Sequence, residues 1–219
     1  MAACRIDTSW QLVRSPDRMT LCGPAGRDRL TVDLNLANGP LARRLRSSRR
    51  DEPLPRAVGL HRREHTPTVF DATAGLCRDA MVLAHLGCRV TAMERVPALA
   101  FLAHDAIAGS WLAPRLCVLA GDSLSHLRTW TAAPRPEVVY LDPMFETHGA
   151  SQVKKDMQAC RLLAGPPDAG EDLLAAALAV ATERVVVKRE LRAAPLSSDP
   201  SFAVPGERVR FDVYLVAPR

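Results

Sequence analysis

Lysine is nearly absent from this 219-residue chain: of 29 basic residues, all but Lys154, Lys155 and Lys188 are arginine. With abundant Ala and Pro beside it, that skew reads as a bias of coding composition. The net charge of +5 therefore permits a polyanionic partner without announcing one. Long apolar runs are missing as well; the longest are interrupted near ten residues, too short to span a bilayer. The first residues, Met1 to Asp7, hold no apolar h-region and do not read as a secretory signal. Six cysteines (4, 22, 77, 88, 117, 160) include no C-x-x-C pair, so neither a zinc site nor a disulfide framework is suggested. No metal is expected, and a reducing cytoplasm fits best. A G-x-G-x-x-G is absent too, because Cys77 follows Gly75-Leu76, and this argues against a dinucleotide pyrophosphate.

From residue 67 onward a regular pattern appears. Thr68-Val69-Phe70 is a short apolar run ending at Asp71, and 79–86 reads as a helix with Gly87 at its C-cap. Residues 88–93 alternate as a strand that ends in Glu94, and Pro97 opens a helix reaching about Ala108. Leu116 to Leu119 and Val138 to Leu141 are further strands, followed by a helix over 171–182, a strand over 184–188 and a last, antiparallel strand over 208–216. Strands alternating with helices predict right-handed βαβ units in a mostly parallel sheet, an α/β fold. The stretch 1–66 differs: three short strand-like pieces, at Trp10, Met19 and Leu30, lie between Ser-Pro and Gly-Pro turns. It reads as a β-rich appendage leading through an Arg-rich segment into a domain over 67–219.

Ligands of such sheets bind beyond the carboxyl ends of the strands. Asp71, Glu94, Asp122 and Asp142 all fall there, at four successive strand ends. Gly75 lets the first loop turn and approach a ligand closely. Glu94 is placed to accept two ribose hydroxyls, and Asp122-Ser123 suits an adenine edge, although the same pair also suits a helix N-cap. The tetrad Asp142-Pro143-Met144-Phe145 can hold a planar amine by carboxylate, backbone carbonyl and ring face. As a bare motif it also simply ends a strand.

Taken together, Asp71-Ala-Thr-Ala-Gly-Leu-Cys-Arg-Asp79, Leu86 to Val90, Glu94-Arg95, Val138 to Phe145, Val153-Lys-Lys155, Arg184 to Arg189 and Arg210 to Tyr214 resemble the bacterial RsmJ family. Its members are S-adenosylmethionine-dependent methyltransferases of a guanine N2 in small-subunit ribosomal RNA. The resemblance covers 67–216 densely and 1–66 loosely. It implies a class I, Rossmann-like fold with S-adenosylmethionine as cofactor. Asp71, Gly75, Arg78, Asp79, Glu94, Arg95, Asp122, Ser123 and Asp142 would bind that cofactor or lie around it. Asp142, Pro143 and Phe145 would carry the chemistry. The family usually has Gly where Cys77 stands; an ordinary φ at Cys77, with Gly75 carrying the turn, is the expectation here. No Pro-Cys loop is present, so Cys77 is not expected to be a nucleophile.

Between Arg43 and Arg63 eight arginines face only two acids, Asp51 and Glu52. A solvated linker and an RNA-phosphate contact are both open readings. Arg43, Arg44, Arg46, Arg49, Arg50, Lys154, Lys155 and Lys188 are the candidate RNA contacts, with ribosomal RNA or the small subunit as partner. Rival functions are methylation of adenine N6 or a protein glutamine, a nicotinamide dehydrogenase, and a non-catalytic RNA-binding relative.

Overall fold

The computed structural model describes residues 4–5, 10–16, 18–23, 31–62, 64–143, 160, 162–164, 170–197 and 199–217. Four short strands, β1 (Cys4–Arg5), β2 (Gln11–Arg14), β3 (Met19–Cys22) and β4 (Thr31–Asp33), form an antiparallel sheet in sequence order. Two helices follow, α1 (Gly39–Ser47) and α2 (Pro53–Ala57), each opened by a proline in its first turn, where a missing N–H costs nothing. The α/β part then runs β5 (Thr68–Asp71), α3 (Arg78–His85), β6 (Arg89–Glu94), α4 (Pro97–Ile107), β7 (Leu116–Ala120), α5 (Ser123–Arg128) and β8 (Val138–Leu141). It continues with α6 (Gly170–Val180), β9 (Arg184–Glu190), β10 (Phe202–Pro205) and β11 (Val209–Leu215).

Seven strands make the main sheet in the order β10-β11-β9-β8-β5-β6-β7. The pairs among β9, β8, β5, β6 and β7 are parallel, and β11 is antiparallel to both its neighbours. This is the α/β architecture read from the sequence, with an antiparallel C-terminal strand. β10 was not anticipated. It is a four-residue edge strand closed by Pro205, with only Val204 buried.

All four residues of β8 are buried, as a central parallel strand covered on both faces requires. Alternate residues feed two clusters. Val69, Val90, Val138, Tyr140 and Val186 face α3 and α4, while Phe70, Val139, Leu141, Val185 and Val187 face α6. The first cluster also takes in Trp10, just before β2, and Leu21 and Val32 of the four-stranded sheet, which packs on α4 through β3.

The Arg-rich segment is built into this framework. On α1, Ala42 and Leu45 lie three apart, both buried, and the helix packs on α3. Full burial of Leu45 contributes about 1.5–3 kcal/mol. That suffices to seat a helix whose other face carries exposed Arg43, Arg44 and Arg46. Among the described residues no helix is long and apolar enough to cross a membrane.

Candidate active site

A cleft of about 340 Å³ opens over the carboxyl ends of β5, β6 and β8, where the strand order reverses. Its walls include Asp71, Gly75, Arg78, Asp79, Glu94, Arg95, Asp122, Ser123, Asp142, Pro143 and Lys188. The acids expected at four strand ends therefore do converge on one cavity, and Met93, Leu99 and Leu173 add an apolar wall.

The loop after β5 is shaped by backbone bonds. The Ala72 amide donates to the Tyr140 carbonyl at 3.0 Å, and that of Ala74 to the Met93 carbonyl at 3.1 Å. Gly75 (φ 51°) and Cys77 (φ 53°) both take the left-handed conformation. The expectation of an ordinary φ at Cys77 is thus wrong. A strand must become a helix within six residues, and two left-handed positions achieve this where one does not. The glycine that the resembling family carries at this position was the signal. A non-glycine residue there costs about 1–2 kcal/mol. A Cβ at Gly75 would meet no atom within 4 Å, so the bend faces open space in the cleft wall. The Cys77 thiol is buried and held well above its ordinary pKa by that burial, with Asp71 and Glu94 adding to it. A buried thiol held in its protonated form is a poor nucleophile.

Glu94 is 7% exposed and fixed at both oxygens. Oε2 accepts from the Gly75 amide at 2.6 Å and Oε1 from the Val96 amide at 2.8 Å. Each carboxylate oxygen retains a second acceptor site, which is what two vicinal hydroxyls need. Burial pushes the Glu94 carboxyl above its ordinary value, and the two amides oppose that shift. Asp122 caps α5, with Oδ1 accepting from the Ser125 amide at 2.8 Å, and hydrogen bonds from the Ser125 side chain and then its amide hold the carboxyl below the usual range. The cap is real, and Asp122 lines the cleft as well.

The deepest part is a chain of charges. The Tyr140 hydroxyl donates to Asp79 Oδ2 at 2.7 Å, and Lys188 Nζ donates at 2.8 Å to both Asp79 Oδ2 and Asp142 Oδ2. The Asp142 amide donates to the Thr73 hydroxyl. Asp71 is 2% exposed and accepts from the Thr73 amide; burial pushes it well above its ordinary value. Even with Asp71 protonated, two carboxylates face one ammonium on this floor. That balance, with the paired acceptors of Glu94, suits a cationic ligand carrying a ribose, as S-adenosylmethionine is.

Several residues are placed differently from what the sequence suggests. Lys188, expected at an RNA surface, lies in the cleft with both of its carboxylate contacts inside the protein. Arg44 is held by Glu52 and Ser48, Arg49 by Asp51, Arg46 by the Ala37 carbonyl and Arg50 by the Leu86 carbonyl. α1 nevertheless stands near the cleft, because it packs on α3, whose first turn carries the cleft residue Asp79. Phe145, Lys154 and Lys155 lie outside the described residues. Thr73 and Tyr140 were missed as site residues: one is a loop hydroxyl and the other reads as core. His65, Glu137 and Glu183 bring ligand atoms within 4.8 Å of one another, away from the cleft at the start of β5, β8 and β9. His65 and Glu137 already satisfy each other at 2.8 Å.

Comparison with known proteins agrees with this geometry. Residues 4–216 match the family model described as "Putative SAM-dependent methyltransferase". The chain is 46% identical to the ribosomal RNA small subunit methyltransferase J of Thioalkalivibrio sulfidiphilus, over 84% of this chain and 76% of that one. With the Edwardsiella ictaluri protein of the same name it shares 42%, over 95% of this chain and 86% of the relative. The crystal structure of a SAM-dependent methyltransferase from Neisseria gonorrhoeae superposes with a TM-score of 0.68 at 29% identity, covering 94% of this chain and 82% of that one.

Proposed function

This chain belongs to the ribosomal RNA small subunit methyltransferase J family, and on that premise we propose that the atom it methylates is the exocyclic N2 of a guanine. It is a methyltransferase that uses S-adenosylmethionine, and small-subunit ribosomal RNA is its substrate. The observation that carries the acceptor assignment is the pinned Asp142 at the end of β8, beside Pro143 and within the cleft. We assign methyl transfer to residues 67–219, RNA docking in part to α1, and a cytoplasmic place of action.

When bound, S-adenosylmethionine supplies an electrophilic methyl group on a sulfonium. Glu94 would hold the ribose hydroxyls, Asp122 and Ser123 would meet the adenine edge, and the acidic floor would favour the cationic end. A guanine N2 amine is a poor nucleophile because its lone pair is delocalised into the ring. Asp142 Oδ1 and the Pro143 carbonyl accept its two N–H bonds and aim the lone pair outward, along the line of transfer. Phe145, two residues on in the chain, is assigned to stack on the extruded base, worth ~1–3 kcal/mol. No strong base is required, because the amine loses its proton after transfer, to Asp142 or to water.

Labelled S-adenosylmethionine incubated with small-subunit ribosomal RNA, followed by nucleoside analysis, tests this. The expected product is N2-methylguanosine. Label in N6-methyladenosine, or in protein alone, would refute the acceptor assignment.

A further inference from the structure

Lys188 lies 46 residues from Asp142 in the chain, yet parallel pairing of β8 with β9 sets Leu141 opposite Val187 and so brings the next residues side by side. Tyr140 on β8 and Asp142, which directly follows that strand two residues on, point to the same face as Lys188. Asp79, in the first turn of α3, comes down onto that face. The result is a relay in which each member is fixed by the next: Tyr140 holds Asp79, Asp79 holds Lys188, and Lys188 holds Asp142.

We propose that Lys188 is the positioning residue of the acceptor site, anchored by Asp79 and Tyr140, and that it holds the Asp142 carboxylate by Oδ2 so that Oδ1 faces the target amine. This rests on Asp142 being the acceptor. Asp142 has two restraints, the Thr73 hydroxyl on its backbone amide and Lys188 on Oδ2, and the residue lines the cleft. The three side chains are part-exposed in the cleft, and ion pairs of that kind add little to stability, so stability alone does not account for three charged groups here.

The relay also sets the charge of Asp142. The groups facing it are Asp71 on β5, Asp79 on α3, Tyr140 on β8 and Lys188 on β9, with Arg44 of α1 acting on Asp79. Burial pushes the Asp142 carboxyl up, Lys188 pulls it down, and Asp79 pushes it up again. Burial alone would lower the Lys188 ammonium, but its two carboxylates hold it above its ordinary value, so it stays charged throughout the working range. Without that ammonium, burial and Asp79 together drive Asp142 towards its protonated form. A protonated Asp142 would be a weaker acceptor for the amine N–H and would hold the lone pair less firmly on the line of transfer.

The experiment is single-turnover methyl transfer to small-subunit ribosomal RNA from pH 5.5 to 9, at saturating cofactor, with the full chain. In Lys188→Met the acidic limb of the rate profile should move up by at least about one pH unit relative to the parent, as removal of an adjacent opposite charge requires. Because Lys188 lies on the cleft floor, S-adenosylhomocysteine affinity is measured alongside, and the rate is read only at saturating cofactor so that a change in affinity does not enter the profile. Should Lys188→Met not fold, Asp79→Asn with Lys188→Met removes the facing negative charge as well. It should fold and show the same limb, displaced less. An unmoved limb, or a loss confined to cofactor affinity with the saturated rate intact, would overturn the proposal. Asp142→Ala serves as the control. If it keeps the parent rate, the acceptor assignment itself fails; if it is slow while the Lys188→Met limb is unmoved, only the role of Lys188 fails.

Discussion

The backbone amide of Gly75 donates to Oε2 of Glu94 at 2.6 Å, tying the loop after β5 to the end of β6. The carboxylate thus organises the loop, and we propose that it also offers acceptors to a ribose. Glu94→Ala should weaken S-adenosylhomocysteine binding by ~1–3 kcal/mol, since hydroxyls lose a charged acceptor and the Gly75 amide loses its partner. Calorimetry checks this, and an unchanged dissociation constant would remove Glu94 from the site.

The pH dependence of binding follows from the same residue. Burial holds the Glu94 carboxyl above 4.5 in the folded protein. Only the ionised form accepts from amides and ribose together, so cofactor affinity should fall as pH drops through that raised value. Folding stability moves the other way: a carboxyl raised by folding binds its proton more tightly in the native state. Its contribution is therefore most favourable below the unfolded value and is lost as pH rises through the folded one. Titrations of S-adenosylhomocysteine from pH 4.5 to 8 should show the fall, and Glu94→Gln should flatten it. A parent profile that is already flat would contradict the assignment.

At Cys77 two effects oppose each other. Glycine relieves a left-handed backbone worth about 1–2 kcal/mol, but it leaves a small void at a fully buried position and loosens the unfolded chain. Alanine leaves the void without the relief. Cys77→Gly should therefore match or exceed Cys77→Ala in thermal stability. The reverse order in melting experiments would show that the side chain, and not the backbone, dominates this loop.

On α1, Arg43 and Arg46 are exposed on the face away from buried Ala42 and Leu45. Replacing both with Gln should leave melting unchanged and make RNA binding less sensitive to salt. The slope of log affinity against log salt should shrink by roughly 0.7–0.9 for each phosphate that is no longer neutralised. An identical slope would make α1 a framework helix alone.

Much of the fold was readable because β5, β6, β8 and β9 are apolar runs ended by an acid or a charge, spaced by helices. The edge strand β10 was not, since three of its four residues are exposed and it ends in proline. The Arg-rich stretch read equally as a linker; Ala42 and Leu45 three apart were the only mark of its buried side. Among the site residues, the strand-end acids were visible because topology puts such positions in one crevice. Lys188 was visible only as a charge, because its role depends on β8–β9 register and on Tyr140, an aromatic that looks like core. Cys77 misled because its backbone is set by the loop's geometry and not by its side-chain type.

Methyl transfer as described here depends above all on Asp142 holding the target amine. The most direct test is the single-turnover rate of methyl transfer to small-subunit ribosomal RNA by Asp142→Ala at saturating S-adenosylmethionine. The rate should fall by about two to three orders of magnitude, the loss associated with removing one preorganised group from a reacting centre. S-adenosylhomocysteine affinity should change only modestly. Transfer at the parent rate would reduce Asp142-Pro143 to the end of a strand and contradict the mechanism.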